Sequence, residues 1–310
     1  MPVPTPVAQV ARGFAMGSAD IVPGVSGGTV ALVLGIYERL VRNIHTGAQA
    51  LRAIVTGDVG GFRTRLGEIE WVWLISLLTG VLLAIAALSS VLEELLHEYP
   101  IRMAALFFGL VLGSLTIAWR MIRSVGGREL ATIAGVAIVL FLVLGLKSDT
   151  EVAEGTAEIV NEPWWVFFLS GALAICAMIL PGISGSFILV LIGMYTEVLG
   201  AINDRDVAAL GSLALGCIVG LALFSSVLTW ALDRHHDLVI AAMVGLMLGS
   251  LRVLWPWPGG TNTTDLAAPS GDVAVPVLLA LGGAAVVLVV ELVAVRTDHD
   301  PVHIADDVPA

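Results

Sequence analysis

The sequence predicts an all-α polytopic membrane protein made of two inverted repeats, each a Pro/Gly-broken helical hairpin followed by three transmembrane helices. Three observations predict it. The 310 residues are 57% hydrophobic and 13% charged, with a mean hydropathy of +0.95, against roughly 45–50% apolar and about 25% charged residues in soluble domains. Apolar runs long enough to cross a hydrocarbon core of about 30 Å recur along the chain. The chain also repeats itself: PGVSGGTVALVLGIY (Pro23 to Tyr37) aligns without gaps on PGISGSFILVLIGMY (Pro181 to Tyr195) with six of fifteen positions identical, and GLVLGSLTIAW (Gly109 to Trp119) matches GLMLGSLRVLW (Gly245 to Trp255) at seven of eleven. Two blocks in the same order point to duplication. Their offsets, 158 and 136, leave 22 extra residues in the first half, in the polar stretch after Arg42.

Repeat 1 covers residues 1–148. It opens with a hairpin over about 5–42, whose N-terminus lacks the basic and apolar regions of a cleaved signal peptide and reads as retained. Proline removes a backbone donor and glycine favours bends, so Pro23-Gly24-Val25-Ser26-Gly27 interrupts the helix. Each flank is about 15 to 17 residues, on the order of 25 Å. That is marginal for a full crossing, and a re-entrant hairpin fits better. Spans follow at about 71–92, 101–119 and 129–146. An acidic loop over 149–163 belongs outside. Repeat 2 covers 164–296, with a hairpin at about 164–202, broken at Pro181-Gly182-Ile183-Ser184-Gly185, and spans at about 207–232, 237–255 and 273–295. The acidic tail, 297–310, closes the chain.

Charge sets the orientation. With hairpins counted as zero crossings and both termini cytoplasmic, eleven of the fifteen basic residues fall inside; with one crossing each, ten do. Three crossings per half is an odd number, so the second half is predicted upside down, the inverted-repeat plan of many secondary transporters. Trp71, Trp73, Trp164, Trp165, Trp255 and Trp257 read as an aromatic belt. The net charge of -11, with Lys147 the only lysine, excludes nucleic acid as a partner and matches a halophilic surface. Cys176 and Cys217 lie in apolar stretches, which argues against a disulfide or a thiolate metal site; neither a metal nor a cofactor is expected.

Non-helical backbone inside a membrane must be buried in protein or line a cavity. Two such turns brought together by inverted symmetry predict a cavity at the repeat interface. Its small residues and helix starts favour an anion, with Ser26, Gly27, Gly28 and Thr29 facing Ser184, Gly185 and Ser186, and Pro23, Gly24, Pro181 and Gly182 forming the turns. A phosphate or carboxylate is the expected guest; tight turns used only for helix packing are the alternative. Asp20, three residues before Pro23, is read either as a proton-coupling carboxylate or as an acceptor for free N–H groups of the turn. Its repeat equivalent is Met178. Arg39 and Arg42 close the first hairpin, where they anchor it on the cytoplasmic side and stand where an anionic headgroup would be guided. Glu291 reads as an interfacial carboxylate.

The stretch GFAMGSADIVPGVSGGTVALVLGIYERL, Gly13 to Leu40, resembles the signature of the domain of unknown function 368 family, as do LPGISGSFILVLIGMY and FFGLVLGS at Phe107 to Ser114. The resemblance runs from about residue 12 to 295. It implies a non-enzymatic membrane transporter, a flippase that returns undecaprenyl phosphate, or another polyprenyl-phosphate lipid carrier, across the cytoplasmic membrane during cell-envelope assembly. In a salt-loving archaeon the carrier would be of dolichyl type. Two rivals stay open. The turns are similar in form to the Pro-Gly-x-Ser-Arg-Ser segment of undecaprenyl-diphosphate phosphatases, although Gly27 and Gly185 stand where the arginine would be. A small-anion transporter or channel is the other, told apart by the absence of an apolar lateral cleft. A monomer and a homo-oligomer both fit.

Overall fold

The structure, a computed structural model, describes residues 6–20, 26–145, 162–260, 263 and 265–297. Every element among them is helical: α1 (Pro6–Asp20), α2 (Gly27–Val33), α3 (Tyr37–Val55), α4 (Val59–Glu68), α5 (Trp71–Glu98), α6 (Pro100–Arg120), α7 (Gly127–Gly145), α8 (Trp164–Ile179), α9 (Gly185–Leu191), α10 (Tyr195–Asn203), α11 (Val207–Ser250) and α12 (Ala274–Thr297). Four of them, α5, α6, α7 and α11, are long and apolar enough to cross a membrane. At 1.5 Å per residue the 44 residues of α11 measure about 66 Å, two bilayer cores end to end. The helix breaks at His235 (φ −137°, ψ 45°), so it covers both of the spans expected at 207–232 and 237–255. Its second segment is helical only to Ser250.

Local chemistry sets the ends of these helices. Asp206 accepts the N–H groups of Ala208 (2.9 Å) and Ala209 (3.1 Å) to start α11, and Asp58 accepts that of Gly61 (2.8 Å) to start α4. Such caps satisfy donors that lack an intrahelical partner. Pro100 begins α6, where its missing N–H is no loss. The residues added to the first half are helical: α3 is amphipathic and continues to Val55, with α4 after it, whereas α10 stops at Asn203.

Glycines bring four helix pairs into backbone contact, and each pair runs parallel. Gly13 and Gly17 of α1 meet Leu77 and Val81 of α5. Phe168 and Ala172 of α8 meet Gly216 and Gly220 of α11 in the same sense. Gly109 and Gly113 of α6 meet Ala280 and Ala284 of α12, and Ile133 and Ala137 of α7 meet Gly245 and Gly249 of α11. Small residues permit this approach, which in lipid replaces the hydrophobic drive. The offsets of the sequence repeat carry Gly13 to Gly171 and Gly109 to Gly245, so the seams of one half recur in the other. Cys176 and Cys217 sit in the α8–α11 seam, their thiols directed at the carbonyls of Gly220 (3.6 Å) and Gly171 (3.4 Å).

The core lies where α2, α3, α6 and α11 converge on Leu32, Tyr37, Val111, Ile240, Met243 and Met247, all fully buried. Outward faces of α5, α7 and α12 expose Ile75, Leu78, Leu82, Val139, Leu142, Leu278 and Leu281, a surface suited to lipid. The aromatic belt is smaller than expected. Trp71, Trp164 and Trp165 are exposed, but Trp73 is 4% exposed beneath Arg39, and Trp257 is buried with its indole donating to the carbonyl of Ser270 (3.1 Å). Trp73 joins the central core cluster and Trp257 is held by a loop carbonyl, neither of which position along the chain shows. Pro23 and Gly24, most of the 149–163 loop, the side chains of Ser186 and Glu291 and the tail beyond residue 297 lie outside the described residues.

Candidate functional site

The interrupted segments meet in the middle of the molecule. In the first, Ser26 takes extended dihedrals and caps α2, its Oγ accepting the N–H of Gly28 (3.1 Å). The hydroxyl of Ser26 is directed at the carbonyls of Met178 and Leu180, both at 3.4 Å. Thr29, one turn further, accepts the N–H of Gly182 on its Oγ1 (3.1 Å). Tyr37 donates its phenol to the carbonyl of Ile179 (3.0 Å). Ser26, Thr29 and Tyr37 are each 2% exposed. The hydroxyls of the first segment therefore satisfy the backbone that α8 leaves unpaired as it ends, a requirement for non-helical chain at this depth.

Three glycines set the spacing. Gly182 has φ +88° and rests against the backbone of Leu246 and Met247, so the turn after Pro181 needs a residue without Cβ. A Cβ at Gly28 would come 2.8 Å from the carbonyl oxygen of Ile179. Gly27 leaves room for Asp20, the last residue of α1, whose carboxylate accepts the Gly27 N–H at 2.6 Å. In the second segment Gly185 leaves the equivalent room to the side chain of Met178. One copy thus places a carboxylate at its helix start, the other a thioether. With Gly27 bound to Asp20, Gly28 to Ser26 Oγ and Thr29 N–H to the Ser26 carbonyl (2.9 Å), the donors that open α2 are engaged within the protein. Ser184 holds the capping position of α9 with extended dihedrals.

Arg39 and Arg42 are both paired. Arg39 makes a forked ion pair with Glu70, its Nε donating at 3.0 Å to Oε1 and its Nη2 to Oε2, and it stacks over Trp73. Such bidentate pairs are among the stronger charge-assisted contacts. Asn43 joins them: its Oδ1 accepts the Glu70 N–H (2.9 Å) and its Nδ2 donates to Glu70 Oε1 (3.2 Å). The hydrogen bond from Arg39 holds the Glu70 carboxyl below its ordinary value. Arg42 reaches Glu38 (3.4 Å), which also contacts His236 Nε2 (3.2 Å). His236 in turn meets Asp237, which accepts N–H groups of Arg123 and Ser124 and so ties the kink of α11 to the α6–α7 turn.

Tyr37, Asn43, Glu70 and His236 were not singled out in the sequence. Tyr37 left a signal there, because Tyr195 occupies its repeat position, and Glu70 left a weaker one in Asp206, a carboxylate before the equivalent helix; Asn43 and His236 have no repeated counterpart. Beside the second turn an apolar groove of about 490 Å³ opens between α7 and α11, with Leu180 at its lining.

Membrane-length helices packed around two broken segments define a multi-pass membrane protein. The chain belongs to the family described as undecaprenyl phosphate translocase-like (VCA0040-like), the domain of unknown function 368 family, whose profile matches residues 16–270. It is 42% identical over 253 residues to a polyprenyl-phosphate transporter of Vibrio cholerae, covering 79% of this chain and 76% of that one. It is 31% identical over 258 residues to a polyprenyl-phosphate transporter of Staphylococcus aureus, covering 80% and 86%. No solved structure matches the chain.

Proposed function

We propose that this protein moves a polyprenyl-phosphate carrier between the leaflets of the cytoplasmic membrane, binding the phosphate where its two interrupted segments meet. The observation that carries the reading is the contact of Ser26, Thr29 and Tyr37 with the backbone of Met178 to Gly182. It gathers hydroxyls, small residues and helix starts into one place among apolar helices. The names of the two relatives supply the carrier class.

Both segments are hairpins in this reading. The parallel sense of the helix pairs supports it: a hairpin returns to its starting side, so α5 sets out from the same side as α1 and runs parallel to it, whereas a single crossing would reverse α5. The second hairpin is supported in the same way by the α8–α11, α6–α12 and α7–α11 pairs. Three crossings then separate the hairpins, which inverts the second repeat.

In the closed arrangement the carboxylate of Asp20 occupies the N–H group that a phosphate oxygen would take. Phosphate binding separates the segments, frees Ser26 and Thr29, and displaces Asp20. Bringing a second anion beside an ionised Asp20 is costly in low dielectric, so displacement is accompanied by proton uptake at the carboxylate. Protonation of one partner lowers the cost of carrying a phosphate through the hydrocarbon. Proton coupling is thereby built into the exchange of one anion for another.

The test is reconstitution of the full chain in liposomes with labelled polyprenyl phosphate, following leaflet accessibility with time. Protein-dependent movement that responds to a pH gradient is expected. No movement overturns the reading, and release of inorganic phosphate from a polyprenyl diphosphate would make the protein a phosphatase.

A further inference from the structure

We propose that the groove between α7 and α11 holds the first isoprene units of the carrier, next to the phosphate. This rests on the function proposed above and assigns a second part of the same lipid to a second place. The groove is lined by Val136 of α7, by Leu180 and by one stripe of α11 that runs from His235 through Val239 and Ala242 to Leu246. From His235 to Leu246 the stripe measures about 16 Å at 1.5 Å per residue. Its volume of about 490 Å³ falls within the roughly 300–1,000 Å³ of small-molecule sites.

Three features choose the occupant. The groove ends at the phosphate site: Leu180 precedes Pro181, Gly182 rests on Leu246 and Met247, and the Gly182 N–H is bound to Thr29. A chain lying in it is continuous with a headgroup held between the two segments. Its walls are apolar apart from His235, at the kink, which excludes the phosphate itself from the groove's length. Two of its lining residues, Ala231 and Ala242, are small, which favours a methyl-branched chain over a straight one needing less room.

A lipid tail entering the groove exchanges lipid contacts for protein contacts, and the hydrophobic gain is small. The groove therefore acts by position. It holds the chain so that the phosphate arrives between the segments in one orientation, which affects the rate of movement more than affinity.

The experiment uses the full chain in liposomes and a polyprenyl phosphate with a diazirine in the isoprene unit nearest the phosphate. After irradiation, labelled peptides are mapped by mass spectrometry in wild-type protein, so no variant needs to fold. Labelling concentrated on Val239–Leu246 and around Val136, competed by unlabelled polyprenyl phosphate but not by phosphatidylglycerol, is expected. Ala242→Trp, which puts a large side chain into the groove from a half-buried position, is expected to slow carrier movement about tenfold, equivalent to about 1.4 kcal/mol in the barrier, with the protein still monodisperse. Labelling spread over all lipid-facing helices, or displaced equally by phosphatidylglycerol, would mean an ordinary annular acyl chain and overturns the inference. Wild-type movement with unlabelled groove peptides and an unimpaired Ala242→Trp refutes the groove alone. Absence of movement by wild type refutes the proposed function itself, and the groove assignment with it.

Discussion

Replacing Gly28 by alanine tests whether the contact between the two segments is a working part of the molecule. The new Cβ would sit 2.8 Å from the carbonyl oxygen of Ile179. That oxygen belongs to backbone, pinned on one side by the Tyr37 phenol at 3.0 Å and followed directly by the turn through Pro181 and Gly182. It cannot swing away as a side chain would, so the segments must part by some tenths of an ångström. The contacts of Ser26, already at 3.4 Å, are lost first, and the Thr29–Gly182 bond at 3.1 Å weakens. Overpacking of this kind costs about 1–3 kcal/mol, and each buried hydrogen bond lost costs about 1 kcal/mol more. Against this, alanine gains up to about 1 kcal/mol over glycine within a helix. The net expectation is a loss of about 2–3 kcal/mol. Thermal unfolding of the purified full chain in detergent reads it, and carrier movement in liposomes reads the functional consequence. A midpoint at or above wild type, with movement unimpaired, would refute the idea that the close approach of Gly28 to Ile179 matters.

Asp20→Asn keeps an acceptor for the Gly27 N–H, so stability should change by about 1 kcal/mol or less. Carrier movement should lose its response to pH; a fully retained pH response eliminates the coupling role. Glu70 supplies a pH dependence of stability. Its folded pKa is depressed, chiefly by Arg39, so its contribution is present above the ordinary carboxylate value and disappears as pH falls through the depressed one. Both partners are partly exposed, so Glu70→Gln should cost only about 1 kcal/mol or less near neutral pH. Wild-type and variant midpoints plotted against pH should converge in acid; parallel curves would contradict the assignment. Gly109→Ala pushes a methyl into the carbonyl of Ala280 and should cost about 3 kcal/mol or more, seen as loss of a monodisperse protein. Gly282→Ala, on the next helix of that pair but facing open space, should be neutral or slightly stabilising.

Much of the scaffold was legible because it is written twice. The same offsets that align Pro23 with Pro181 and Gly109 with Gly245 also align glycine seams, since a backbone contact leaves a small residue at a fixed place in each copy. The breaks at Pro181 and before Gly27 were legible because proline and glycine act on their own backbone. The partners of the candidate site were not. That Ser26 and Thr29 face the backbone of Met178 to Gly182, rather than open space, depends on how the halves dock. Arg39 reads from the sequence as a cytoplasmic anchor standing where a headgroup would be guided; that it is engaged does not show there, because its partner Glu70 is 31 residues on and its own repeat position holds Glu197. Trp73 near a helix start matches the pattern of a membrane-interface tryptophan, yet it belongs to the buried core cluster with Leu77 and lies under Arg39.

The parallel glycine seams bear on how the chain is made. During synthesis α1 finds α5, and α8 finds the first part of α11, within their own half. The faces of α6 and α7 have no such neighbour: Gly109 and Gly113 wait for α12, the last described helix, and Ile133 and Ala137 wait for the second part of α11. α6 must therefore keep an open seam until α12 emerges, and α7 until the second part of α11 does. A chain stopped between α7 and α11 would expose the glycine groove of α6 and the uncovered face of α7 to lipid and to other nascent helices, making it a natural client for membrane insertion and quality-control machinery.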